Sequence, residues 1–137
     1  MLFNQYSVEF SIVGQNTIGQ ATFKRDLASQ TVALIGFRLK NPIQSRVVVR
    51  EGEVNIPFKI GRVSPEMSRR DVKRGEVAYW PQSAILMIFL KDKRLDYPVN
   101  IVGFVNSETM KFFDTLRIGK SIKLEMIKPP IDEADYL

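Results

Sequence analysis

Residues 75–94, GEVAYWPQSAILMIFLKDKR, contain the longest apolar run of the chain, residues 84–90, and its only tryptophan, Trp80. The run follows Pro81 and ends at a charged turn, and its length suits a strand better than a helix. A strand that is apolar on both faces belongs in the middle of a layered structure. Alternation gives it one face with Leu86, Ile88 and Leu90 and an opposite face with Ile85, Met87 and Phe89.

The remaining sequence is dominated by short segments with a period of two. This alternation predicts further strands at 6–12, 18–23, 44–50, 54–60, 76–79, 99–105 and 122–126. Helical spacing predicts one helix from Asp26 or Ser29 to Lys40 and a short second helix after Ser107, whereas residues 61–75 are predicted as a loop. About eight short strands with two helices predict a mainly β protein, an antiparallel sandwich or a closed barrel whose open ends the helices cap.

Composition limits the domain organisation and the chemistry. With 137 residues, 45% of them hydrophobic, the chain is long enough for one domain with a real core. We expect this domain to span residues 1–128, followed by a proline-rich and acidic tail at 129–137. The sequence has no cysteine and no histidine, which removes thiolate chemistry and the commonest metal ligand and neutral-pH base. We therefore predict no metal site, no cofactor and no catalytic residue.

Localisation and charge were assessed from the same residues. The run at 84–90 is far shorter than the roughly 20 residues that a membrane-spanning helix needs, so we expect no membrane association. The N-terminus lacks the basic region and the cleavage site of a signal peptide, which predicts a cytoplasmic protein. The net charge of +5 is a modest excess that serves solubility and does not by itself indicate an anionic partner.

Several blocks resemble the cyclophilins and, more closely, a family of small uncharacterised prokaryotic proteins with a cyclophilin-like fold. They are IGQATF at 18–23 with the helix after it, GEVAYWP at 75–81, the apolar strand at 84–90, and VNIVG at 99–103. The resemblance implies a cyclophilin-like closed antiparallel barrel. It also implies that Phe89 keeps the position that contacts proline in cyclophilins, while Met87 replaces a substrate-binding glutamine and no counterpart of the catalytic arginine is found near 56–60.

Trp80 and the second face of the apolar strand suggest a binding site. Proline restricts the backbone of Trp80, and a rigidly held aromatic ring beside an apolar strand makes a good wall for a ligand. If Leu86 and Ile88 fill the interior, the opposite face meets an external groove for a small molecule or a peptide. The groove residues predicted on this basis are Tyr79, Trp80, Gln82, Met87, Phe89 and Phe58.

Bland alternatives exist for the same features. In one alternative Trp80 caps an end of the barrel and binds nothing. In another, a loop, a helix or a second subunit of a homodimer covers the apolar face. Two other functions have weaker support from the sequence. A divergent prolyl isomerase would need Lys59 or Arg62 as its cation, and nucleic-acid binding would use the basic segment 59–74, in which no aromatic residues are interleaved with the charges to stack on bases.

Overall fold

The computed structural model describes residues 4–127 of the chain. The predicted tail at 129–137 lies outside these residues. Within them the protein is mainly β, with a single antiparallel sheet system and two short helices, as the alternation predicted. The strands are β1 (Gln5–Ile12), β2 (Ile18–Lys24), β3 (Ile43–Arg46), β4 (Val48–Arg50), β5 (Glu53–Pro57), β6 (Arg69–Val72), β7 (Glu76–Trp80), β8 (Ile85–Phe89), β9 (Lys93–Val105) and β10 (Ser121–Ile127).

The strands follow one path of hydrogen-bonded neighbours. Its order is β3, β10, β1, β2, β9, β7, β8, β5 and β4, and β6 pairs with β9 beside this path. Ten strands replace the eight expected because the predicted strand at 44–50 is two strands split at Val47, and because β6 forms inside the predicted loop.

The expectation of a closed barrel is wrong. The path ends at β3 and β4, and in the described part of the chain no ladder joins one end to the other. Only Val47 separates these two end strands in sequence, so the sheet curls and brings its two ends close together. A single side-chain bond from Ser45 Oγ to the Pro57 carbonyl, 3.1 Å long, spans the gap. End strands of four and three residues, with a proline at the facing position, are too short to complete a ladder.

The helices cover the concave side of this curled sheet. α1 (Ser29–Arg38) buries Val32 and Ile35 completely, and the Tyr6 hydroxyl donates to the Val32 carbonyl at 2.5 Å. A 3-10 turn (Ser107–Thr109) leads into α2 (Met110–Asp114), which buries Phe112 and Phe113 against β2. The pair of helices was predicted correctly, although the second is shorter than an ordinary helix.

Two separate hydrophobic clusters lie on the two sides of β8. Leu86 and Ile88 belong to the first cluster, which fills the concave side together with the helices. Met87 and Phe89 belong to the second cluster, on the convex side. The second cluster also contains Ala78, Val99 and Ile101 from neighbouring strands, and it is covered by Val72 of β6 and Leu95 of β9.

β2 and β9 approach each other closely at Gly103. A Cβ atom placed there would lie 2.1 Å from the carbonyl oxygen of Thr22, which is backbone and cannot move aside. Only glycine therefore allows the two strands to pair at Phe23 and Gly103.

Candidate functional site

The predicted groove residues do not form one open groove. Met87 and Phe89 are completely buried in the second cluster. The reason is that β6 and residues 93–99 of β9 fold across the convex face and pair with each other there. The chain covers this face itself, which was one of the alternatives weighed from the sequence.

Two other groove residues face the opposite side of the sheet. Tyr79 and Phe58 lie in the first cluster, and the Tyr79 hydroxyl donates to the Phe58 carbonyl at 2.8 Å. Burial raises the pKa of Tyr79 above its ordinary value. These residues hold the end of β5 against β7 and are closed to a ligand.

Trp80 and Gln82 stay at the surface of the corner that follows β7. Gln82 is exposed, and Trp80 is half-buried with its ring stacked on Tyr97 of β9 at a centroid distance of 3.6 Å. The indole Nε1 of Trp80 is buried, and within residues 4–127 it has no acceptor. The Trp80 ring, which was expected to form a wall of a ligand site, is thus stacked on Tyr97, a residue that the sequence analysis did not single out.

Three arginines of the basic segment at 59–74 make intramolecular contacts, and Arg70 among them donates to the Asp96 carbonyl at 2.9 Å. Arg69 pairs with the buried Glu76, and Arg74 makes two bonds of 2.8 Å to the carboxylate of Asp114. The Arg74 guanidinium lowers the pKa of Asp114. Lys59 and Arg62 are exposed. Ion pairs therefore neutralise two of the six cations of this segment.

A cavity of about 450 Å³ opens near the start of α1, close to the second cluster. Leu27 lines the cavity and also packs against the second cluster, so it is the shared wall between them. We call this space the Arg25 cavity. Its wall consists of Asn4, Arg25, Asp26, Leu27, Ala28, Ser29, Glu66 and Met67.

Glu66 fixes one side of the Arg25 cavity. α1 has no side-chain cap of its own, since Ala28 occupies the N-cap position. The Glu66 carboxylate accepts from the backbone N–H groups of Gln30 and Thr31, both at 2.8 Å, and from the Thr31 hydroxyl at 2.6 Å. Burial alone would raise the pKa of Glu66, but these hydrogen bonds outweigh it and lower the pKa below its ordinary value. The Glu66 carboxylate, which comes from a remote part of the chain, thereby caps the N-terminus of α1.

Asn100 holds Glu66 in place from the other side. Its Oδ1 accepts the backbone N–H of Glu66 at 3.0 Å, and its Nδ2 donates to the Thr31 hydroxyl and to the Ser64 carbonyl, both at 3.1 Å. Asn100 is 1% exposed, so every polar atom of its amide is used inside the protein. The next residue after Glu66, Met67, has a φ of 47°, in the left-handed region, and is 77% exposed at the rim.

Arg25 supplies the free polar group of the cavity. Its Nη2 donates to Ser29 Oγ at 3.0 Å, and its Nε is buried without a hydrogen-bond partner in the described residues. These two nitrogens form the edge of the guanidinium on which a carboxylate binds with two parallel hydrogen bonds. Asp26, beside it, is exposed. The cavity therefore combines one cation, one available carboxylate and the apolar surfaces of Leu27 and Met67.

The sequence analysis did not identify this cavity. Asp26 was noted only as a possible first residue of the predicted helix, Arg25 was not singled out, and Glu66 was one acid within a basic segment. The one local signal is the lack of a capping side chain at Ala28, which implies that something else must satisfy the first turn. It does not say which residue.

The described residues hold neither a membrane-spanning helix nor a cluster of metal-binding side chains. No helix within residues 4–127 is long and apolar enough to cross a membrane. Nor does that range hold a group of three acidic, histidine or cysteine side chains suited to a metal ion.

Comparison with known proteins gives structural neighbours only. No protein-family model matches the chain, and no curated protein matches its sequence. A hypothetical protein from Archaeoglobus fulgidus, solved in solution, superposes with a TM-score of 0.73 at 20% identity, over 89% of this chain and 95% of that one. A structure of McbB in complex with tryptophan superposes with a TM-score of 0.71 at 10% identity, over 91% of this chain. The match spans 46% of the McbB chain. At these identities the likeness concerns the fold.

Proposed function

We propose that the protein binds a free amino acid with an apolar side chain, or a molecule of the same charge pattern, in the Arg25 cavity. The observation that carries this proposal is the presence of Arg25 in the cavity wall, with a buried Nε that lacks a partner in the described residues. A buried donor without an acceptor costs about 1–3 kcal/mol, and a bound carboxylate would relieve this cost.

Each part of an amino acid has a complementary group on the wall. The carboxylate accepts from Nε and Nη2 of Arg25, and the ammonium group faces the exposed carboxylate of Asp26. Glu66 is already occupied by three hydrogen bonds at the start of α1, so it competes little for the ammonium group. The side chain of the ligand lies against Leu27 and Met67, whose thioether adapts to different shapes.

Size and a structural neighbour support the same ligand class. A volume of about 450 Å³ falls within the range of small-molecule sites, roughly 300–1,000 Å³. McbB, which shares the fold, was solved in complex with tryptophan, a zwitterion with a large apolar side chain. Tryptophan is therefore the first probe to use with this protein.

The other functions considered from the sequence have less support. A prolyl isomerase would need an open apolar pocket to grip the proline ring, and Phe89, the residue expected to line it, is completely buried. Nucleic-acid binding would use the cations of segment 59–74, of which Arg69 and Arg74 are paired with acids. A distant relation to the cyclophilins also remains a proposal, and it rests on the sequence blocks at 18–23, 75–81 and 99–103.

Calorimetric titration with matched ligands tests the proposal. L-tryptophan should bind, while tryptamine, which lacks the carboxylate, and indole-3-propionate, which lacks the ammonium group, should each bind more weakly. Arg25→Gln should weaken L-tryptophan about 10- to 150-fold, the effect of losing charge-assisted hydrogen bonds, and leave tryptamine unchanged. Asp26→Asn should show the opposite selectivity, affecting tryptamine and sparing indole-3-propionate.

Arg38→Gln is the matched control, because Arg38 is an exposed cation at the far end of the same helix. It should leave all three affinities unchanged. Equal affinities of L-tryptophan for the Arg25 and Arg38 variants, or no heat of binding for L-tryptophan, L-leucine or L-phenylalanine at millimolar concentration, would disprove the proposal.

A further inference from the structure

One end of the sheet, where β1 and β3 finish and β2 and β10 begin, lies away from the Arg25 cavity. The Val13 N–H donates to the Ser121 carbonyl at 3.1 Å, and the Val47 N–H donates to the Lys120 carbonyl at 3.0 Å. These bonds and the strand ladders bring three segments together. We call the surface that they form the hairpin-end surface, and it consists of residues 11–18, 43–47 and 115–123.

The hairpin-end surface is positively charged. Its three segments contain no aspartate and no glutamate, and they carry four cations, Arg46, Arg117, Lys120 and Lys123. Within residues 4–127 no ion pair joins the first three of these to an acid, and Lys123 lies 3.9 Å from Glu125, at the limit of an ion pair. Unlike the basic segment at 59–74, this surface therefore keeps most of its charge.

Three exposed aliphatic residues lie on the same surface. Ile118 is 68% exposed, Val13 51% and Ile18 38%, and they are half of the six large apolar residues that are exposed in the described part of the chain. The Lys120 N–H donates to the Arg117 carbonyl at 3.3 Å, so Ile118 lies at the tip of a tight turn with a cation on each side. Single exposed apolar residues are ordinary, but a cluster of them marks an interaction surface.

The combination of charge and aliphatic side chains favours an anionic lipid surface as the partner. Cations are attracted to anionic headgroups, and aliphatic side chains enter the boundary between the headgroups and the acyl chains. A nucleic acid would leave the aliphatic side chains in water, and the three segments contain no aromatic residue that could stack on a base. A second copy of this chain would bring the same positive surface against itself.

We propose that the hairpin-end surface docks peripherally on an anionic lipid bilayer, with Ile118 and Val13 in the headgroup region and the cations against the lipid phosphates. The expectation of no membrane association considered only a spanning helix, which a peripheral contact does not need. β2 runs from Ile18 at this surface to Lys24, the residue before Arg25, over a length of about 20 Å. The docking therefore leaves the Arg25 cavity in the aqueous phase and goes beyond the amino-acid binding proposed above.

Co-sedimentation with lipid vesicles measures this docking. The wild type should bind vesicles of phosphatidylcholine that contain about 30% phosphatidylserine, and it should bind pure phosphatidylcholine about tenfold more weakly or less. Raising the NaCl concentration from about 0.1 M to about 0.5 M should release most of the bound protein, because salt screens the attraction between the cations and the headgroups.

The aliphatic tip is tested with Ile118→Ser. This variant should lower the affinity for the phosphatidylserine vesicles about fivefold to tenfold, since the turn then has no apolar side chain to bury. Phe37→Ser is the matched control, because Phe37 is 66% exposed and lies outside the three segments. It should bind the vesicles as the wild type does.

The cations are tested with the double variant Arg117→Gln and Lys120→Gln. The affinity should fall about fivefold for each charge removed. Lys59→Gln with Arg62→Gln removes the same charge from exposed positions elsewhere and should change the affinity by less than about twofold.

The proposal is overturned if the wild type does not sediment with phosphatidylserine vesicles at about 0.05 M NaCl, where the attraction is strongest. It is also overturned if each variant of the hairpin-end surface binds as its control does. A wild-type dimer in sedimentation equilibrium that Ile118→Ser dissociates would assign the surface to a second copy instead. Binding to a single-stranded oligonucleotide without binding to vesicles would assign it to a nucleic acid, and either result contradicts the proposal.

Discussion

Replacing Glu66 by alanine should uncap α1 from a distance of more than thirty residues in sequence. Glu66 accepts three hydrogen bonds at the start of the helix, where Ala28 gives no side-chain cap. Loss of an ordinary N-cap costs about 0.5–2 kcal/mol. Because two N–H groups and a hydroxyl lose a charged acceptor together, we expect a value near the top of that range, about 2 kcal/mol.

Urea denaturation followed by circular dichroism measures this change. With a denaturant dependence of about 2 kcal/mol/M, typical of a small protein, the midpoint should fall by about 1 M. Glu108→Ala is the control, because Glu108 is an exposed acid at the start of the 3-10 turn. A Glu66→Ala midpoint within about 0.2 M of the Glu108→Ala midpoint would show that the carboxylate does not cap α1.

Three further predictions concern stability. Phe89→Ala should cost about 3–5 kcal/mol in an unfolding titration, as expected for a phenylalanine buried in a second core, whereas a cost under 1 kcal/mol would mean that the convex face is open. Gly103→Ala should prevent folding or lower the thermal midpoint by more than 10 °C, because its Cβ would meet the Thr22 carbonyl; a midpoint within 2 °C of the wild type would contradict this. The destabilisation by Glu66→Gln should be full at pH 7 and should shrink at acidic pH. The pKa of Glu66 is lowered in the folded protein, so the ionised carboxylate contributes to the free energy of unfolding above the unfolded pKa of about 4.3. This contribution is lost as the pH falls through the folded pKa. Destabilisation that is equal at pH 7 and pH 3 would refute that assignment.

The local parts of the fold follow from the sequence. The alternation at 6–12 and 18–23 predicted β1 and β2, and the apolar run at 84–90 predicted β8. The second face of β8 was expected to line an external groove, and it is buried instead. These segments are governed by the period of their own side chains.

The cover of the convex face could not be predicted in the same way. β6 consists of Arg69, Arg70, Asp71 and Val72, of which only Val72 is apolar. Residues 93–97 of β9 are also mostly charged or polar. Such segments have the composition of loops, and they form strands only because the folded sheet presents an apolar surface for Val72 and Leu95. Tertiary packing here overrides local preference.

The Arg25 cavity could not be predicted from the sequence for a related reason. Arg25 and Glu66 are far apart in the chain and share a cavity because Asn100 of β9 holds the Glu66 backbone beside α1. Three segments must be placed before the cavity exists. The curled but unclosed sheet could not be predicted from local pattern either, because it depends on a change of strand partner at Val47.

The structure of a complex with L-tryptophan would test the central proposal most directly. A crystal grown with the amino acid should show its carboxylate within about 2.7–2.9 Å of Nε and Nη2 of Arg25, with the indole against Leu27 and Met67. Tryptophan bound elsewhere on the molecule, or an Arg25 cavity without the amino acid at saturating concentration, would contradict the account.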